Sequence, residues 1–395
     1  MTASAPTIRV AHVLDGRHFG GAEQMVRRLA EASPRAHIDA RVYCLSEGRL
    51  AEFLRAAGVP LRVFASSGRF DLRFLPAMAR AARADGIQLL QAHTSRTHLI
   101  ARMLSRYLHI PNITTIQSPI ALDENRAVKT HPLRATVERL GRPWTDAICP
   151  VSREETDRLA RDERVPPSRL HWIPNGIEPV AEESLRQPRR RAALNQYLTQ
   201  QNLNPDAFAI AMIAQMRPRK GPETLLKAFA QLKADAVLLM IGDDEFTEGA
   251  GYLDSLRGLS KRLGVDSRVR FTGFMADPWT LAAGADVFAL PSLFGEGLPL
   301  VLLEAMNHAL ALAVSAIQGN RELIDAGRNG WLHPPGDWET LAGQLGEAAS
   351  DRAATADKGA RGRELFMGAY TLDAVVARHR ALYESLLAPP ATPIS

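Results

Sequence analysis

The strongest constraint in this sequence is an alternation that runs nearly end to end: short β-rich apolar runs separated by stretches with helical spacing. The first cycle is "IRVAHVL" (8–14), the glycine-rich turn "DGRHFGG" (15–21) and "AEQMVRRLAEAS" (22–33), where Met25, Val26 and Leu29 recur at helical intervals. Further strands are expected at "DARVYCLS", "PLRVFAS", "IQLLQAH" (87–93), "NITTIQS" (112–118) and "DAICPVS" (146–152), with helices at "GRLAEFLRAAG" and "LRFLPAMARAARADG". Interleaved with helices, strands this apolar call for a parallel sheet covered on both faces.

"HWIPNGIEP" (171–179) closes that series, and a second one begins with "FAIAMIAQM". Its later strands are expected at "AVLLMIGD", "RVRFTGF", "DVFALPS", "ALAVSA" and, as strand or turn, "GWLHPPG"; its helices include "GPETLLKAFAQLKAD", "YLDSLRGLSKRLG" and "LPLVLLEAMNH". A chain of 395 residues is long for one domain and comfortable for two. The expected division is an N-terminal domain at 1–180, a polar, basic linker at 181–207, a C-terminal domain at 208–365, and a last segment at 366–395. That segment holds an amphipathic helix, "TLDAVVARHRALYESLL" (371–387), and a frayed tail.

Apolar residues at 46% and charged residues at 23% are ordinary globular values. No run approaches the roughly 18 apolar residues of a membrane helix. The start lacks a basic segment followed by a long apolar one, so a cytoplasmic protein is expected. Cys44 and Cys149 lie in apolar contexts far apart, which suits buried thiols better than a disulfide or metal framework. The net charge of +5 is uneven: residues 1–180 carry 26 Lys and Arg against 18 Asp and Glu. Such a surplus suits a polyanion, an anionic membrane surface or a phosphate-bearing substrate. No basic patch interleaved with aromatics is present, which argues against nucleic acid.

Three stretches carry chemistry. In "GRHFGGAEQ" the glycines do not follow the dinucleotide spacing, yet Gly20 and Gly21 fall between a strand and a helix. There they make either a tight turn or an anion-approach site. In "MRPRKGPETLL" (216–226), Arg217, Arg219 and Lys220 cluster just before a helix opened by Gly221-Pro222, a good diphosphate site or a solvated basic loop. In "FALPSLFGEGLPLVLLEAM", Glu296 lies just past a strand and Glu304 eight residues on, about two helical turns in. A glutamate on so apolar a helix needs a polar partner, either ribose hydroxyls or a salt bridge. "IGDDEF" (241–246) is more a polar turn than a metal site.

With these motifs, the chain resembles the retaining GT-B glycosyltransferases of the family 4 (group 1) class. The likeness runs through "GGAEQMVRRLA", "VSREETDRL", "IPNGIEP", "RKGPETLLKAF", "RVRFTGF", "DVFALPSLFGEGLPLVLLEAM" and "GNRELIDAGRNGWLHPPGD", covering nearly the whole chain in order. The Glu-x7-Glu element is that family's signature. The resemblance implies an α/β fold of two Rossmann-like doubly wound domains facing a central cleft. It also implies a nucleotide-diphosphate sugar as donor, a glycan or lipid-linked acceptor from cell-surface polysaccharide synthesis, and no metal. Glu296 and His93 would be catalytic, with Glu296 reaching the donor sugar's hydroxyls. The backbone of Gly297, Leu298, Pro299 and Leu300 would cradle sugar and diphosphate, and Glu304 would bond the ribose. Lys220 with Arg219 would hold the diphosphate, and Gly20 and Gly21 would let it approach the N-terminal domain. The final helix would brace that domain. Two positions depart from the family pattern. Gln215 stands in the donor set where an arginine is usual, and Gln117 stands on the acceptor side where a histidine is frequent.

A nucleotide-sugar epimerase and a non-catalytic GT-B subunit are the rival expectations. In "SRTHLIARMLSRYLHI" (95–110), Leu99, Ile100, Met103, Leu104 and Leu108 form an apolar stripe, with Arg96, Arg102 and Arg106 off it. The stripe should pack on the sheet and leave the arginines in water, where they would make a weak contact with an anionic membrane.

Overall fold

The computed structural model of the chain describes residues 6–17, 20–68, 71–118, 132–186, 189–244, 251–325 and 327–389. The chain forms two compact units: Met1–Glu178 with Tyr370–Ser395, and Pro179–Ala369.

The first unit holds β1 (Ile8–Leu14), β2 (Ile38–Cys44), β3 (Leu61–Val63), β4 (Leu89–Ala92), β5 (Asn112–Ile116) and β6 (Ala147–Pro150) in the order β3-β2-β1-β4-β5-β6. Every neighbouring pair is parallel. The second holds β7 (Phe208–Ile213), β8 (Ala236–Ile241), β9 (Val269–Gly273), β10 (Val287–Leu290), β11 (Ala311–Ser315) and β12 (Gly330–His333), again with parallel neighbours. Their order, β9-β8-β7-β10-β11-β12, repeats that of the first sheet. The inner strands are buried along nearly their whole length, as the apolar runs require, and all six residues of β8 are covered; the edge strands β3 and β9 are only partly so. In each sheet the chain starts in the middle, runs to one edge and returns to the centre. The reversal falls between β1 and β4, and between β7 and β10. Open sheets of this kind take ligands at that point, outside the carboxyl ends of the strands.

The stretch 181–207 is not the irregular linker that its composition suggests. It contains the helices Glu182–Leu185 and Arg189–Gln200, and it belongs to the second unit. Leu194 and Leu198 are fully buried. Arg190 donates to the carbonyls of Ala283 and Ala285, and Arg191 pairs with Asp286. The arginines that read as a solvated run thus fasten this helix to its own unit.

At the other end, the helix Arg352–Ala369 stays with the second unit, and the chain re-enters the first at Tyr370. The final helix, Leu372–Leu387, packs on the helix Gly21–Ala32. Leu372 N donates to the Ile177 carbonyl over 2.8 Å.

The helix Ser95–Leu108 corrects one expectation. Arg102 is buried and donates to Glu138 and Thr145, and Arg96 pairs with Asp15 and donates to Ser66. Only Arg106 of the three is exposed, and Met103, placed in the buried stripe, is 39% exposed. The helix is flanked by a second helix, Pro132–Gly141, so one flank carries buried ion pairs rather than water. Cys44 and Cys149 are buried and unbonded, and burial first of all pushes the Cys44 thiol up to about 12.

Candidate functional site

The reversal point of the second sheet is built from the two loops that leave β7 and β10. After β7 the chain passes Gln215, which is exposed, and turns tightly through Pro218–Lys220 into the helix Pro222–Ala230. Gly221 makes that turn in the left-handed region at φ 70°. A Cβ there would lie 1.9 Å from the Pro291 carbonyl oxygen, so the turn is pressed directly onto the β10 loop. Leu293 N donates to the Arg219 carbonyl at 2.7 Å and ties the loops together.

Glu296 is the centre of the site. Its Oε1 accepts from Lys220 Nζ at 2.5 Å, from Ser292 Oγ at 2.8 Å and from Arg219 at 3.3 Å. Its Oε2 receives no hydrogen bond from the described residues. A carboxylate with 8% of its side chain exposed is costly to bury unless paired, and these donors meet that requirement. Burial, first, and the neighbouring Arg219 and Arg217 pull the Lys220 ammonium down from its ordinary range, while Glu296 holds it up. The same Arg219 nitrogen donates to the carbonyls of Phe294 and Gly295 at 3.2 and 3.1 Å.

Gly297, Leu298 and Pro299 lead into the helix Leu300–Asn307, with Leu298 and Leu300 buried. Its first amides face the end of the helix where backbone N–H groups have no partner one turn back. Gly319, at φ 82°, backs this loop: a Cβ there would lie 2.1 Å from the Gly297 carbonyl oxygen. Glu304 sits on the helix and accepts from Trp279 Nε1 at 3.1 Å. Trp279 in turn stacks on His308, with centroids 4.8 Å apart. The partner that the sequence demanded for this glutamate is therefore at least in part an indole. Trp279, Ser292 and Gly319 escaped the sequence analysis. Only Ser292, four residues before Glu296, lay close enough in the chain to be noticed.

The corresponding place in the first unit is different. Gly20 caps the helix Gly21–Ala32, and its N–H already donates to Glu23 at 3.0 Å. His93, just past β4, is 4% exposed and lies 3.1 Å from His12 of β1. Burial, first, and the charge of His379 lower His12 to about 3, and burial likewise holds His93 well below its usual range. Both are neutral at physiological pH. Beside them Gln91 donates to Thr115 Oγ1 at 2.7 Å and to His379 Nε2 at 3.2 Å, and accepts from the Tyr383 hydroxyl. His379 Nδ1 donates to the Val375 carbonyl, so its Nε2 is the acceptor. Gln117 follows β5, half-buried. The structure thus groups Arg219, Lys220, Glu296 and Gly297 closely. It places Gln215 on the surface and His93 in a buried pair. Among the described residues, no three His, Cys, Asp or Glu are placed to hold a metal; the tempting stretch 241–246 ends outside them. No described helix is long and apolar enough to cross a membrane.

Comparison with known proteins finds matches over both halves of the chain. Residues 19–180 match the model of Glycosyltransferase Family 4, and residues 195–365 match that of Glycosyl transferases group 1. The chain is 22% identical over 361 residues to UDP-Gal:alpha-D-GlcNAc-diphosphoundecaprenol alpha-1,3-galactosyltransferase of Escherichia coli, covering 89% of this chain and 90% of that one. It is 27% identical over 263 residues to a GDP-mannose-dependent alpha-(1-6)-phosphatidylinositol monomannoside mannosyltransferase of Mycobacterium tuberculosis, covering 62% and 63%. Among solved structures, Anabaena HepE in complex with UDP superposes with a TM-score of 0.82 at 21% identity, over 96% of this chain and 100% of that one. At that identity the likeness speaks for the fold.

Proposed function

Since the chain belongs to the family 4 class of GT-B glycosyltransferases, we propose that it moves a hexosyl unit from a nucleotide-diphosphate sugar to a lipid-linked or polysaccharide intermediate, with retained anomeric configuration. The observation that carries this reading is the Glu296–Lys220 pair, set 2.5 Å apart at the reversal point of the second sheet. The names of the relatives support the substrate class: one acts on a diphosphoundecaprenol-linked sugar and one on a phosphatidylinositol mannoside. HepE was solved with UDP, and the mycobacterial relative is GDP-mannose-dependent, so the base is a matter for experiment.

In this proposal Glu296 Oε2 accepts from a hydroxyl of the donor sugar, and Glu304, steadied by Trp279, accepts from the ribose. The bond that breaks joins the anomeric carbon to the diphosphate oxygen. The acceptor hydroxyl attacks on the same face, and its proton passes to the leaving diphosphate. Lys220, a neighbouring guanidinium and the amides at the start of the helix Leu300–Asn307 take up the charge, in the role a metal has elsewhere. His93 and Gln117 end adjacent strands of the first unit and form part of its acceptor side. The enzyme works at the inner face of the cell membrane, touching it weakly.

The test is incubation with UDP-, GDP- and ADP-sugars, with and without an acceptor lipid extract and EDTA. Nucleoside diphosphate should be released only with acceptor, and EDTA should change the rate less than about twofold. A sugar altered without acceptor would mean epimerisation, and binding without turnover would mean a non-catalytic subunit; either overturns the proposal.

A further inference from the structure

Three cations lie in one tight turn, and the structure treats them differently. Lys220 is paired with Glu296. Arg219 spends one guanidinium nitrogen on the carbonyls of Phe294 and Gly295 and on Glu296, all within 3.3 Å. It thereby clamps the loop that carries the carboxylate. Arg217 makes no ion pair or hydrogen bond with the described residues, and its Nε is buried with no partner. Other arginines of the chain, Arg96 and Arg102 among them, also carry a buried nitrogen without a partner, but they are anchored through their remaining nitrogens; half-buried Arg217 has no such anchor, and buried donors of this kind are met by water or ligand. Pro218 follows it and fixes the turn, so Arg217, which precedes one short 3-10 segment, and Lys220, which ends it, are held three residues apart. Their charges are felt across that distance, for Arg217 helps to lower the Lys220 ammonium.

We infer that Arg217, rather than Arg219, is the guanidinium that binds the donor's diphosphate alongside Lys220, and that Arg219 is a positioning residue for the Glu296 loop. This rests on the nucleotide-sugar site proposed above. It also accounts for the turn's arrangement. One carboxylate cannot neutralise three cations, and the excess positive charge stays uncompensated until an anion arrives. A diphosphate offers several acceptor oxygens, enough for the planar guanidinium and the ammonium together. Gln215, exposed and without a hydrogen bond among the described residues, plays no part in holding it.

Calorimetric titration of the full chain with UDP, GDP and ADP, and with the matching monophosphates, tests the division. Arg217→Gln, which keeps a side-chain donor but loses the charge, should weaken the preferred nucleoside diphosphate at least tenfold. The monophosphate should weaken less, so that the diphosphate preference shrinks. Arg217→Lys should recover part of the loss. Arg219→Gln should keep diphosphate affinity within about threefold yet lower kcat, with little change in KM for the donor. Arg219→Lys should restore kcat in part. If Arg217→Gln binds within twofold of the parent while Lys220→Ala loses tenfold, the inference fails and the nucleotide site stands. If Arg219→Gln loses as much affinity as Arg217→Gln, the division of roles fails. If the parent chain binds none of the three diphosphates, the site proposal itself falls and takes the inference with it.

Discussion

The same strand order occurs twice in this chain, and the two reversal points are filled in opposite ways. Between β7 and β10 the loops bring together a carboxylate, an ammonium and two guanidinium groups, with little beyond Ser292 and the loop carbonyls to satisfy them. Between β1 and β4 the corresponding space holds the neutral pair His12 and His93, each with one buried ring nitrogen left without a partner, and beside it a glutamine amide whose bonds are made inward. Identical topology therefore fixes where chemistry can sit but not what is done there. Unpaired charge is retained where a ligand is to complete it. A bonded neutral network holds structure: Gln91, His379 and Tyr383 fasten the final helix to β4.

If that contrast is right, substitutions in the two places should fail differently. The largest effect is expected at Glu296. Glu296→Gln removes the charge that orders Lys220 and the acceptor offered to the sugar, and should cut kcat by about 100-fold or more, in the range for loss of one preorganised electrostatic group. Its Tm should move by only a few degrees, because relieving three clustered cations of one carboxylate disturbs a loop and not a core. A variant that keeps near-parent turnover with the true donor breaks the comparison on its functional side. Lys220→Ala should instead weaken nucleoside diphosphate binding by about 1.5–3 kcal/mol, read by calorimetry.

Tyr383→Phe is the counterpart in the first unit. It leaves Gln91 Oε1 buried without its donor, which costs about 1–3 kcal/mol of stability. Thermal or urea unfolding should show the loss, while donor affinity stays within twofold. A drop in donor affinity without a change in stability would mean that the Gln91, His379 and Tyr383 network acts on the donor and not on the fold.

Much of this was legible in the sequence, for a physical reason. Buried parallel strands must be apolar throughout, so their alternation with helices survives without any knowledge of contacts. The helix Arg189–Gln200 was missed because only Leu194 and Leu198 mark its buried face, and arginine gave the rest the look of coil. Glu296 and Lys220 could be found because each stands where no core residue belongs, in a loop after a strand. Their mutual contact joins positions 76 apart, and Gln91 and His379 are 288 apart. No local pattern announces such pairs. The same blindness hid Trp279, Gly319 and the burial of Arg102 against Glu138.

The histidine cluster also predicts a pH dependence of moderate size. Burial lowers His12 to about 3 and His379 to about 4 in the folded chain, against about 6.5 when unfolded. Below pH 6.5 the unfolded state binds more protons than the folded one. Stability is therefore complete above about pH 6.5 and falls as pH drops towards about 4. Scans at pH 7.5 and 5 should show a fall of several degrees in Tm, and His379→Gln should reduce that fall. A Tm flat across this range would show that these histidines are not buried and neutral.

The smallest effect expected is at the membrane. The surplus of arginine in the first unit invited a basic face on the helix Ser95–Leu108, but two of its three arginines are spent on internal ion pairs. What remains exposed is Arg106 with Met103 and with Tyr107, whose ring lies 4.9 Å beneath the Arg83 guanidinium. One basic residue near an anionic surface contributes only about 1 kcal/mol, and salt screens it. An exposed tyrosine and methionine add interfacial affinity that salt does not remove. Binding to anionic liposomes should thus be weak. It should fall by less than about tenfold between low and high salt, and by a few-fold in Arg106→Glu. Tyr107→Ser should weaken binding to anionic and neutral liposomes alike. If Arg106→Glu abolishes co-sedimentation outright, electrostatics governs the contact, and a charged surface other than this helix must supply it. If neither variant changes pelleting, this face does not meet the membrane, and the arginine surplus is accounted for by internal pairs of the kind that Arg102 makes with Glu138.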